Sequence, residues 1–327
     1  MKTKVVYVLV SNDNDFYFEQ ALISVCSVKV NSPNSFILLV VDDKTNSTLK
    51  GKRGIIKQYV NEIKVVDLGL ETSNAFRSRI LKTTLRSIVE GPYLFVDTDT
   101  VVCSPLDEID DLIDSSVNIA AVPDAHCKFK EMSRYSVHTE RSRIIGWDLD
   151  NDEFHFNSGV MFVADNEFTH DFYQKWNSNW NYERKFNLFF DQLALAYTNG
   201  MLNYPIRELS GIWNCQIATN GIYYFASAKI LHLLGGYHDG CPYFFSNLFP
   251  YIQLKNTGEI SAAVWDKIKN PKSAFIGDVK FIGNSDSDFI KSSLYGLFVY
   301  HKSIYNIMDK FGSFYLKLRR IAKKVIQ

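Results

Sequence analysis

The sequence predicts an α/β domain with a mostly parallel central sheet. Short apolar runs rich in valine, isoleucine and phenylalanine alternate with segments of helical spacing over the first hundred residues. Two of these runs end in polar segments, Ser11-Asn12-Asp13 and Asp97-Thr98-Asp99. Because ligands of such sheets bind at the carboxyl ends of the strands, these segments are the first candidates for a binding site.

The elements follow in chain order from the hydrophobic pattern. Strands are predicted at Lys4–Val10, Phe36–Val41, Ile63–Val66, Tyr93–Val96, Asn118–Val122, Val160–Val163 and Ala228–Leu233. Helices are predicted at Phe16–Val30, Leu49–Val60, Phe76–Val89, Phe168–Trp180 and Phe189–Tyr197. Residues 125–156 form a polar segment long enough to be a functional loop. The alternation fades after about residue 245, which predicts a catalytic domain over 1–245 and a helical extension over 246–327.

The composition excludes several classes of protein. Lysine plus arginine and aspartate plus glutamate number 36 each, whereas a general nucleic-acid binder normally has a large basic excess. The apolar runs are too short to span a membrane. The first run ends at Ser11-Asn12-Asp13, so we interpret it as a strand and not as a signal peptide. The five cysteines are scattered, which is typical of reduced thiols in a cytoplasmic protein.

Asp97 and Asp99 are the strongest candidates for metal-binding residues in the sequence. Side chains at i and i+2 of an extended chain leave the same face, so both carboxylates can reach one hard divalent cation. The alternative is a pair of solvated loop aspartates, but the apolar strand before them favours a site. His232 ends another short predicted strand and is a candidate third ligand. The alternative interpretation is a hydrogen-bonded histidine in the core. An imidazole added to two carboxylates favours Mn²⁺ over Mg²⁺.

Two further segments could contact a hydroxyl-rich ligand. Asn157 offers a donor and an acceptor, although Asn-Ser-Gly before a strand is also ordinary turn chemistry. Asp191 and Gln192 begin an apolar helix, where an acid is also favoured by the helix dipole. The residues alone leave both pairs of alternatives open. No phosphate-cradling loop, G-x-G-x-x-G segment or G-x-S-x-G nucleophile elbow is present in the sequence.

Taken in order, these segments resemble glycosyltransferase family 8, the family of glycogenin and the bacterial lipopolysaccharide galactosyltransferases. The resemblance extends from about Val5 to about Gly240. It is carried by Val8–Asp13, Tyr93–Thr100, Pro105-Leu106, Ala120–Asp124, Phe156–Val160, Asp191-Gln192 and His232–Gly235. The family implies a GT-A, Rossmann-like nucleotide-sugar-binding fold, a UDP-sugar donor, Mn²⁺ with Mg²⁺ as the alternative, and retention of anomeric configuration.

The resemblance also implies roles for individual residues. Asp97, Asp99 and His232 would be the metal ligands. The donor nucleotide and its diphosphate would contact Leu9, Ser11, Asn12, Tyr17, Arg79, Thr98, Gly235 and His238. The sugar pocket would contain Asp124, Asn157, Asp191 and Gln192. Arg79 only approximates the position of the family's basic residue, which could lie a residue or two away.

The chain departs from the family pattern at His238, which stands where the family has a lysine. A lysine is permanently charged, whereas a histidine is mostly neutral near pH 7. This difference supports one alternative, a degenerate module that binds a nucleotide sugar or a glycan without turnover. A sugar-nucleotide pyrophosphorylase is disfavoured because Ser11–Gln20 lacks a glycine-rich basic loop. We favour the transfer of a hexose to a glycan or a lipid-linked saccharide. Because Gln192 is a poor nucleophile, we expect this transfer to occur by front-face attack.

The last 27 residues differ in net charge from the rest of the chain. Residues 301–327 contain seven lysines and arginines against Asp309, so a basic tail of about +6 follows a body of about −6. The apolar residues Phe311, Phe314, Tyr315, Leu318, Ile321, Ala322 and Val325 recur at helical spacing. This pattern predicts an amphipathic helix on the inner face of an anionic membrane. The alternative is a final helix that packs on the domain.

Overall fold

A computed structural model describes residues 1–69, 73–233, 244–275, 289 and 291–326. The strands in this part of the chain are β1 (Lys4–Leu9), β2 (Ile37–Asp42), β3 (Glu62–Val66), β4 (Tyr93–Val96), β5 (Thr100–Val102), β6 (Ile119–Pro123), β7 (Phe156–Val163), β8 (Ile206–Glu208), β9 (Cys215–Gln216) and β10 (Ile230–His232).

The helices follow the predicted alternation. They are α1 (Tyr17–Asn31), α2 (Asp43–Thr48), α3 (Asn74–Thr83), α4 (Leu85–Ile88), α5 (Asp111–Asp114), α6 (Tyr135–Ile144), α7 (Glu167–Glu183), α8 (Asp191–Met201), α9 (Phe249–Thr257), α10 (Ala262–Lys269), α11 (Ser293–Tyr300) and α12 (Lys302–Ile326). Short 3₁₀ helices lie between them, at Gly51–Gln58, Asp107–Asp110, Asp124–His126, Phe129–Glu131, Arg184–Phe186, Gly211–Asn214, Asn220–Ser227, Phe244–Ser246 and Pro271–Phe275.

The central sheet confirms the predicted fold class. Among the described residues it has seven strands in the order β3-β2-β1-β4-β7-β6-β8. Strand β7 runs antiparallel to both of its neighbours, and the other pairs of neighbours are parallel. A second, three-stranded sheet within the same described part has the order β5-β10-β9. The strand order places the ends of β1 and β4 side by side, which is where the sequence predicts ligands to bind.

Both faces of the central sheet are buried, which explains why its strands are continuously apolar. Val5, Tyr7 and Leu9 of β1 pack in the core that also contains α1. Val6 and Val8 point to the other face and pack in a second core with α3, α7 and α8. The strands of the central sheet therefore show little alternation of polar and apolar residues, and their polar side chains lie mainly at the strand ends.

Some boundaries differ from the sequence-based expectations. Strand β7 begins at Phe156 and not at Val160, so the Asn-Ser-Gly segment is part of a strand and not a turn before it. The predicted helix Phe76–Val89 is divided at Thr84, whose hydroxyl donates to the Ile80 carbonyl at 2.7 Å. Local side-chain hydrogen bonds of this kind compete with the regular helix.

The long segment 125–156 is folded and is not an open loop. It contains α6 and a 3₁₀ helix, and its Phe129, Ile145 and Trp147 are buried in the second core. The imidazole of His155 stacks on the ring of Phe129 with the centroids 3.6 Å apart. Its predicted role in function stays a prediction, but its shape is set by its own apolar contacts.

The beginning of the predicted C-terminal extension packs against α1 and the central sheet. Tyr251 and Leu254 of α9, together with Val264 and Ile268 of α10, belong to the same core as α1. The Lys255 ammonium donates to the carbonyl of Asp15, which lies in the loop after β1, at 2.8 Å. The domain boundary at residue 245 stays a prediction.

We expect Leu254→Ala to lower the free energy of unfolding by about 2–5 kcal/mol, because it leaves a cavity against α1. Ile252→Ala, on the exposed side of the same helix, should cost less than about 1 kcal/mol. Urea denaturation followed by circular dichroism measures both. Equal losses in the two variants, or a separate unfolding step for the extension, would contradict this packing.

Candidate active site

The smaller sheet brings the predicted metal ligands together. Asp97 and Asp99 lie in the turn between β4 and β5, with the partly exposed Thr98 between them. Strand β10 pairs antiparallel with β5 and places His232 opposite Thr100. The Leu233 amide also donates to the Asp99 carbonyl at 2.9 Å. A short strand from more than 130 residues later in the chain thus delivers the imidazole to the two carboxylates.

Asp97, Asp99 and His232 are the one group of potential metal ligands found among the described residues, and their ligand atoms lie within 4.8 Å of one another. His232 Nε2 is 3.2 Å from Asp99 Oδ1. Gly159 leaves room for this group, since a Cβ there would lie 2.3 Å from His232 Cε1 and 2.8 Å from Asp97 Oδ2. Two carboxylates and one imidazole fit a divalent cation such as Mn²⁺.

The charged groups of this cluster perturb one another. Burial is the largest influence on Asp97 and raises its pKa, Lys82 opposes it, and the Asp99 carboxylate adds to it. Burial is the largest influence on His232 and lowers its pKa, but the Asp99 and Asp97 carboxylates together outweigh burial, so the pKa is raised. The raised pKa of His232 thus reflects the two adjacent carboxylates, whereas the raised pKa of Asp97 reflects mainly burial.

A chain of amides leads from the cluster to the predicted sugar pocket. Asn157 Nδ2 donates to Asp124 Oδ1 at 2.9 Å, and Asn157 Oδ1 accepts from the Gly159 amide at 3.0 Å. Asn214 Nδ2 also donates to Asn157 Oδ1 at 3.0 Å, and Asn214 Oδ1 lies 2.8 Å from His232 Nδ1. The structure thus brings Asp124 and Asn157 into one network with His232.

Asp191 lies in a second, charged network. Lys82 Nζ is 3.3 Å from Asp191 Oδ2 and 3.5 Å from Asp97 Oδ1, and it donates to the Ser158 hydroxyl at 3.0 Å. Arg79 Nε is 3.5 Å from Asp191 Oδ1, and the Ser158 hydroxyl donates to Asp191 Oδ2 at 3.0 Å. Burial alone would raise the pKa of Asp191, but Lys82 and Arg79 overcome it and lower the pKa to about 2.

Gln192 follows Asp191 in the first turn of α8, as the sequence predicts. Its Nε2 is 3.5 Å from the Phe156 carbonyl at the start of β7. The side chain is partly buried, and it carries no charge. It therefore contributes an amide dipole next to the strand that bears Asn157 and Ser158.

The predicted nucleotide contacts lie at the end of β1. Leu9 is buried in the core, Ser11 and Asn12 form the following loop, and Tyr17 begins α1 with half of its surface exposed. The guanidinium of Arg53 holds this loop by donating to Ser11 Oγ at 3.0 Å and to the Asn12 carbonyl at 2.9 Å. The loop is therefore preorganised at the same edge of the sheet as Asp97.

Gly235 and His238 lie outside the described residues, so the structure adds nothing to their predicted roles. The sequence analysis missed Lys82, Ser158 and Asn214 as members of the site. Lys82 could have been found, because it lies three residues after Arg79 on one helix, where side chains share a face. Nothing in the local sequence around Asn214 distinguishes it from other polar loop residues.

No family model matches the chain, and no curated protein matches its sequence. Solved structures do match. The galactosyltransferase LgtC, in complex with donor and acceptor sugar analogues, has a TM-score of 0.52 at 16% identity over 81% of this chain and 100% of LgtC. The chain has a GT-A fold. The bifunctional glycosyltransferase WbbM in its apo form also has a TM-score of 0.52, at 15% identity over 81% of this chain, which spans about half (51%) of WbbM.

These likenesses confirm the fold that the family resemblance implies. Ligands of α/β sheets in general bind at the carboxyl ends of the strands, and Asp97, Asp99 and His232 lie at that edge here. At this level of identity the match concerns the fold, and the role of each side chain rests on the contacts described above.

Replacing Lys82 by methionine should raise the pKa of Asp191 by about one pH unit or more, because a cation at ion-pair distance is removed. In the wild type, Asp191 stabilises the fold above about pH 4, and this contribution is lost as the pH falls through its pKa of about 2. In the Lys82→Met variant, the stabilising contribution of Asp191 should be lost at a higher pH than in the wild type. Carboxyl ¹³C NMR titration and acid unfolding measure both effects.

Lys175→Met is the matched control, because Lys175 pairs with Asp171 on the surface of α7, away from the site. This variant should leave the Asp191 titration unchanged. If Asp191 still titrates near pH 2 in the Lys82→Met variant, Lys82 does not set its charge state.

Proposed function

We propose that this chain is a retaining glycosyltransferase of family 8 that moves a hexose, glucose or galactose, from a UDP-sugar to a glycan or glycolipid acceptor with the help of Mn²⁺. The observation that carries the proposal is the grouping of Asp97, Asp99 and His232 at the binding edge of a GT-A sheet. Two networks of polar side chains extend from this group to Asp124 and Asp191.

The donor would lie across the ends of β1 and β4. Hydrogen bonds from Arg53 fix the positions of Ser11 and Asn12, which would contact the nucleoside. Thr98 lies between Asp97 and Asp99 in the chain. A divalent cation bound by Asp97, Asp99 and His232 would neutralise the diphosphate and so stabilise it as a leaving group. The solved complex of LgtC with donor and acceptor sugar analogues supports assigning a sugar donor and a sugar acceptor to this fold.

The chain's own residues favour attack on the face from which the phosphate departs. A double displacement needs a free nucleophile on the opposite face. Asp191 is ionised, but its oxygens are engaged by Lys82, Arg79 and Ser158, and Gln192 is a neutral amide. In the front-face reaction the bond from C1 to the phosphate oxygen breaks as the acceptor oxygen bonds to C1. The acceptor's proton passes to the departing phosphate oxygen.

Each polar residue then has a role that its contacts allow. Asp124 and Asn157 would orient the hydroxyls of the sugar, because their shared hydrogen bond holds them in one position. Gln192 would direct its carbonyl dipole to the positive charge that develops at C1. Lys82 and Arg79 would keep Asp191 ionised and in place.

We expect Asp99→Asn to lower UDP-sugar hydrolysis and transfer by at least about 100-fold while the fold survives, because the variant keeps the shape and removes one charge. A panel of UDP-sugars with and without Mn²⁺ measures turnover, and NMR of the product from an α-linked donor should show an α-linkage. Asp114→Asn, on the exposed surface of α5, is the matched control and should keep wild-type turnover.

Wild-type turnover in both Asp99→Asn and His232→Ala would refute the metal assignment. A β-linked product would refute retention. If the wild type binds UDP-sugars but turns none of them over with Mn²⁺, the chain is the degenerate binding module instead.

The C-terminal helix supports a second part of the proposal, a membrane surface as partner. Large apolar side chains of α12 recur at i+3 and i+4 and are 45–71% exposed, namely Ile304, Ile307, Met308, Phe311, Phe314, Tyr315, Leu318 and Ile321. This exposure favours the amphipathic interpretation over a helix packed on the domain. Within the described residues, no helix has the length and apolar character needed to cross a bilayer.

We propose that α12 lies on the anionic inner face of a membrane from the cytoplasmic side. Its lysines and arginines would each contribute roughly 1 kcal/mol of attraction, and the apolar stripe would enter the headgroup region. The acidic body of the protein would be repelled from the same surface, which would leave the helix as the point of contact.

Cutting the chain after Ser303 should abolish co-sedimentation with vesicles containing phosphatidylglycerol and leave UDP-sugar hydrolysis unchanged. The full chain should bind these vesicles at low salt and should release at high salt, because surface charges are screened. Neutral phosphatidylcholine vesicles are the control. A truncated protein that unfolds, or a full chain that ignores anionic vesicles at low salt, would mean that the helix is structural.

A further inference from the structure

Asn214 lies between the two halves of the site. It ends the 3₁₀ helix Gly211–Asn214 just before β9, and its side chain is fully buried. One end of its amide lies 2.8 Å from His232 Nδ1, and the other lies 3.0 Å from Asn157 Oδ1. The amide therefore contacts a predicted metal ligand on one side and a predicted sugar-pocket residue on the other.

The orientation of the Asn157 amide is set by the backbone. The Gly159 N–H can only donate, and it points at Asn157 Oδ1 from 3.0 Å. The other end of the amide, Nδ2, donates to the Asp124 carboxylate at 2.9 Å. Rotating the amide by 180° would set two donors against each other at Gly159 and two acceptors against each other at Asp124. Asn157 must therefore present its oxygen to Asn214.

The orientation of Asn214 and the tautomer of His232 follow from this. Since Asn157 presents an oxygen, Asn214 must direct its Nδ2 there and its Oδ1 at His232 Nδ1. A carbonyl oxygen only accepts, so His232 Nδ1 must carry a proton. The other nitrogen, Nε2, lies 3.2 Å from Asp99 Oδ1, and because a carboxylate oxygen only accepts, Nε2 also carries a proton when no cation is bound. A divalent cation would take the place of that proton, so His232 bound to it is neutral, with Nδ1 protonated and the Nε2 lone pair on the cation.

We propose that Asn214 is a positioning residue that holds neutral His232 as the Nδ1–H tautomer, with the Nε2 lone pair facing a divalent cation, and couples this geometry to Asp124 through Asn157. The inference rests on the proposed function, whose cation it serves. Histidines that bind metals commonly donate their second N–H to a fixed acceptor, and losing such an acceptor typically weakens metal affinity 10–100-fold.

The two ends of the amide can be tested separately. Asn214→Leu has a similar volume and removes both hydrogen bonds. Asn214→Asp keeps an acceptor for His232 Nδ1–H but loses the donor to Asn157. Asn199→Leu is the matched control, because Asn199 is a buried asparagine outside the site whose Oδ1 accepts from the Ile206 amide at 3.1 Å.

The first experiment measures the tautomer in the full-length protein saturated with Mg²⁺, a diamagnetic divalent cation that does not broaden the histidine signals. Two-dimensional ¹⁵N–¹H NMR of ¹⁵N-histidine-labelled protein, at a pH where His232 is neutral, reports which nitrogen carries the proton. The His232 signals are assigned by their absence from the His232→Gln variant. We expect a protonated Nδ1 and an unprotonated Nε2. The opposite tautomer, or a mixture of the two in similar amounts, would overturn the proposal.

The second experiment measures Mn²⁺ affinity through the electron paramagnetic resonance signal of free Mn²⁺. Asn214→Leu should bind Mn²⁺ about 10–100-fold more weakly than the wild type. Asn214→Asp should bind it at least as tightly as the wild type, and Asn199→Leu should bind it with unchanged affinity. A folded Asn214→Leu variant with wild-type affinity, or an Asn214→Asp variant as weak as a folded Asn214→Leu, would overturn the proposal.

The outcomes separate this inference from the proposed function. If Asn214→Leu fails to fold, the wild-type tautomer and the affinity of Asn214→Asp decide the matter. A chain that shows the predicted tautomer and affinities but transfers no sugar would refute the enzyme and leave the role of Asn214 intact. If the chain transfers sugar but shows the other tautomer or the other order of Mn²⁺ affinities, the role of Asn214 is refuted and the proposed function stands.

Discussion

The close approach of strand β7 to the end of β4 is the constraint on which the candidate site depends. The two strands pair antiparallel, and the Asp97 amide donates to the Gly159 carbonyl at 2.7 Å. Asp97 and His232 occupy the space where a side chain at Gly159 would lie. The same glycine donates its N–H to Asn157 Oδ1, so one residue contacts both the carboxylate side and the amide side of the site. A residue with any Cβ here would force these groups apart.

Charge balance is the second constraint. Asp97, Asp99 and Asp191 meet at the edge of the sheet, and Lys82 is the buried cation that bridges Asp97 and Asp191. Burying carboxylates is costly unless they are paired and hydrogen-bonded, and Asp191 is paired with Lys82 and Arg79. Asp99 and His232 form a separate pair beside Asp97. The arrangement separates a region suited to a divalent cation from a region that is neutralised by the protein itself.

The site assembles residues from separate elements because the direction of the sheet reverses at β7. Lys82 comes from α3, Asn157 and Ser158 from β7, Asp191 from α8 and His232 from β10. Strand β7 enters the sheet from the end where β4 leaves it, and this brings its first residues beside Asp97. The predicted extension after residue 245 supports this edge from the outside, since the Lys255 ammonium donates to the Asp15 carbonyl in the loop after β1. The basic helix α12 is separate from this arrangement and carries its own apolar face.

The sequence by itself determined the α/β class and six of the seven described strands of the central sheet, because apolar runs are local features, whereas the short strand β8 was not predicted. The family resemblance proposed Asp97, Asp99 and His232 as one group of metal ligands, and the structure brings these residues together. The resemblance also implied Asp124, Asn157 and Asp191 as sugar-pocket residues, a role that stays a prediction, and their hydrogen-bond partners could not be predicted from the sequence. Only the tertiary structure decided that Lys82 pairs with Asp191, that Asn214 bridges Asn157 and His232, and that segment 125–156 is folded. These contacts join residues 18 to 109 positions apart, and hydrogen bonding between such residues leaves no periodic pattern in the sequence. Their geometry arises when the strands pair and the side chains at their ends are forced to share one edge.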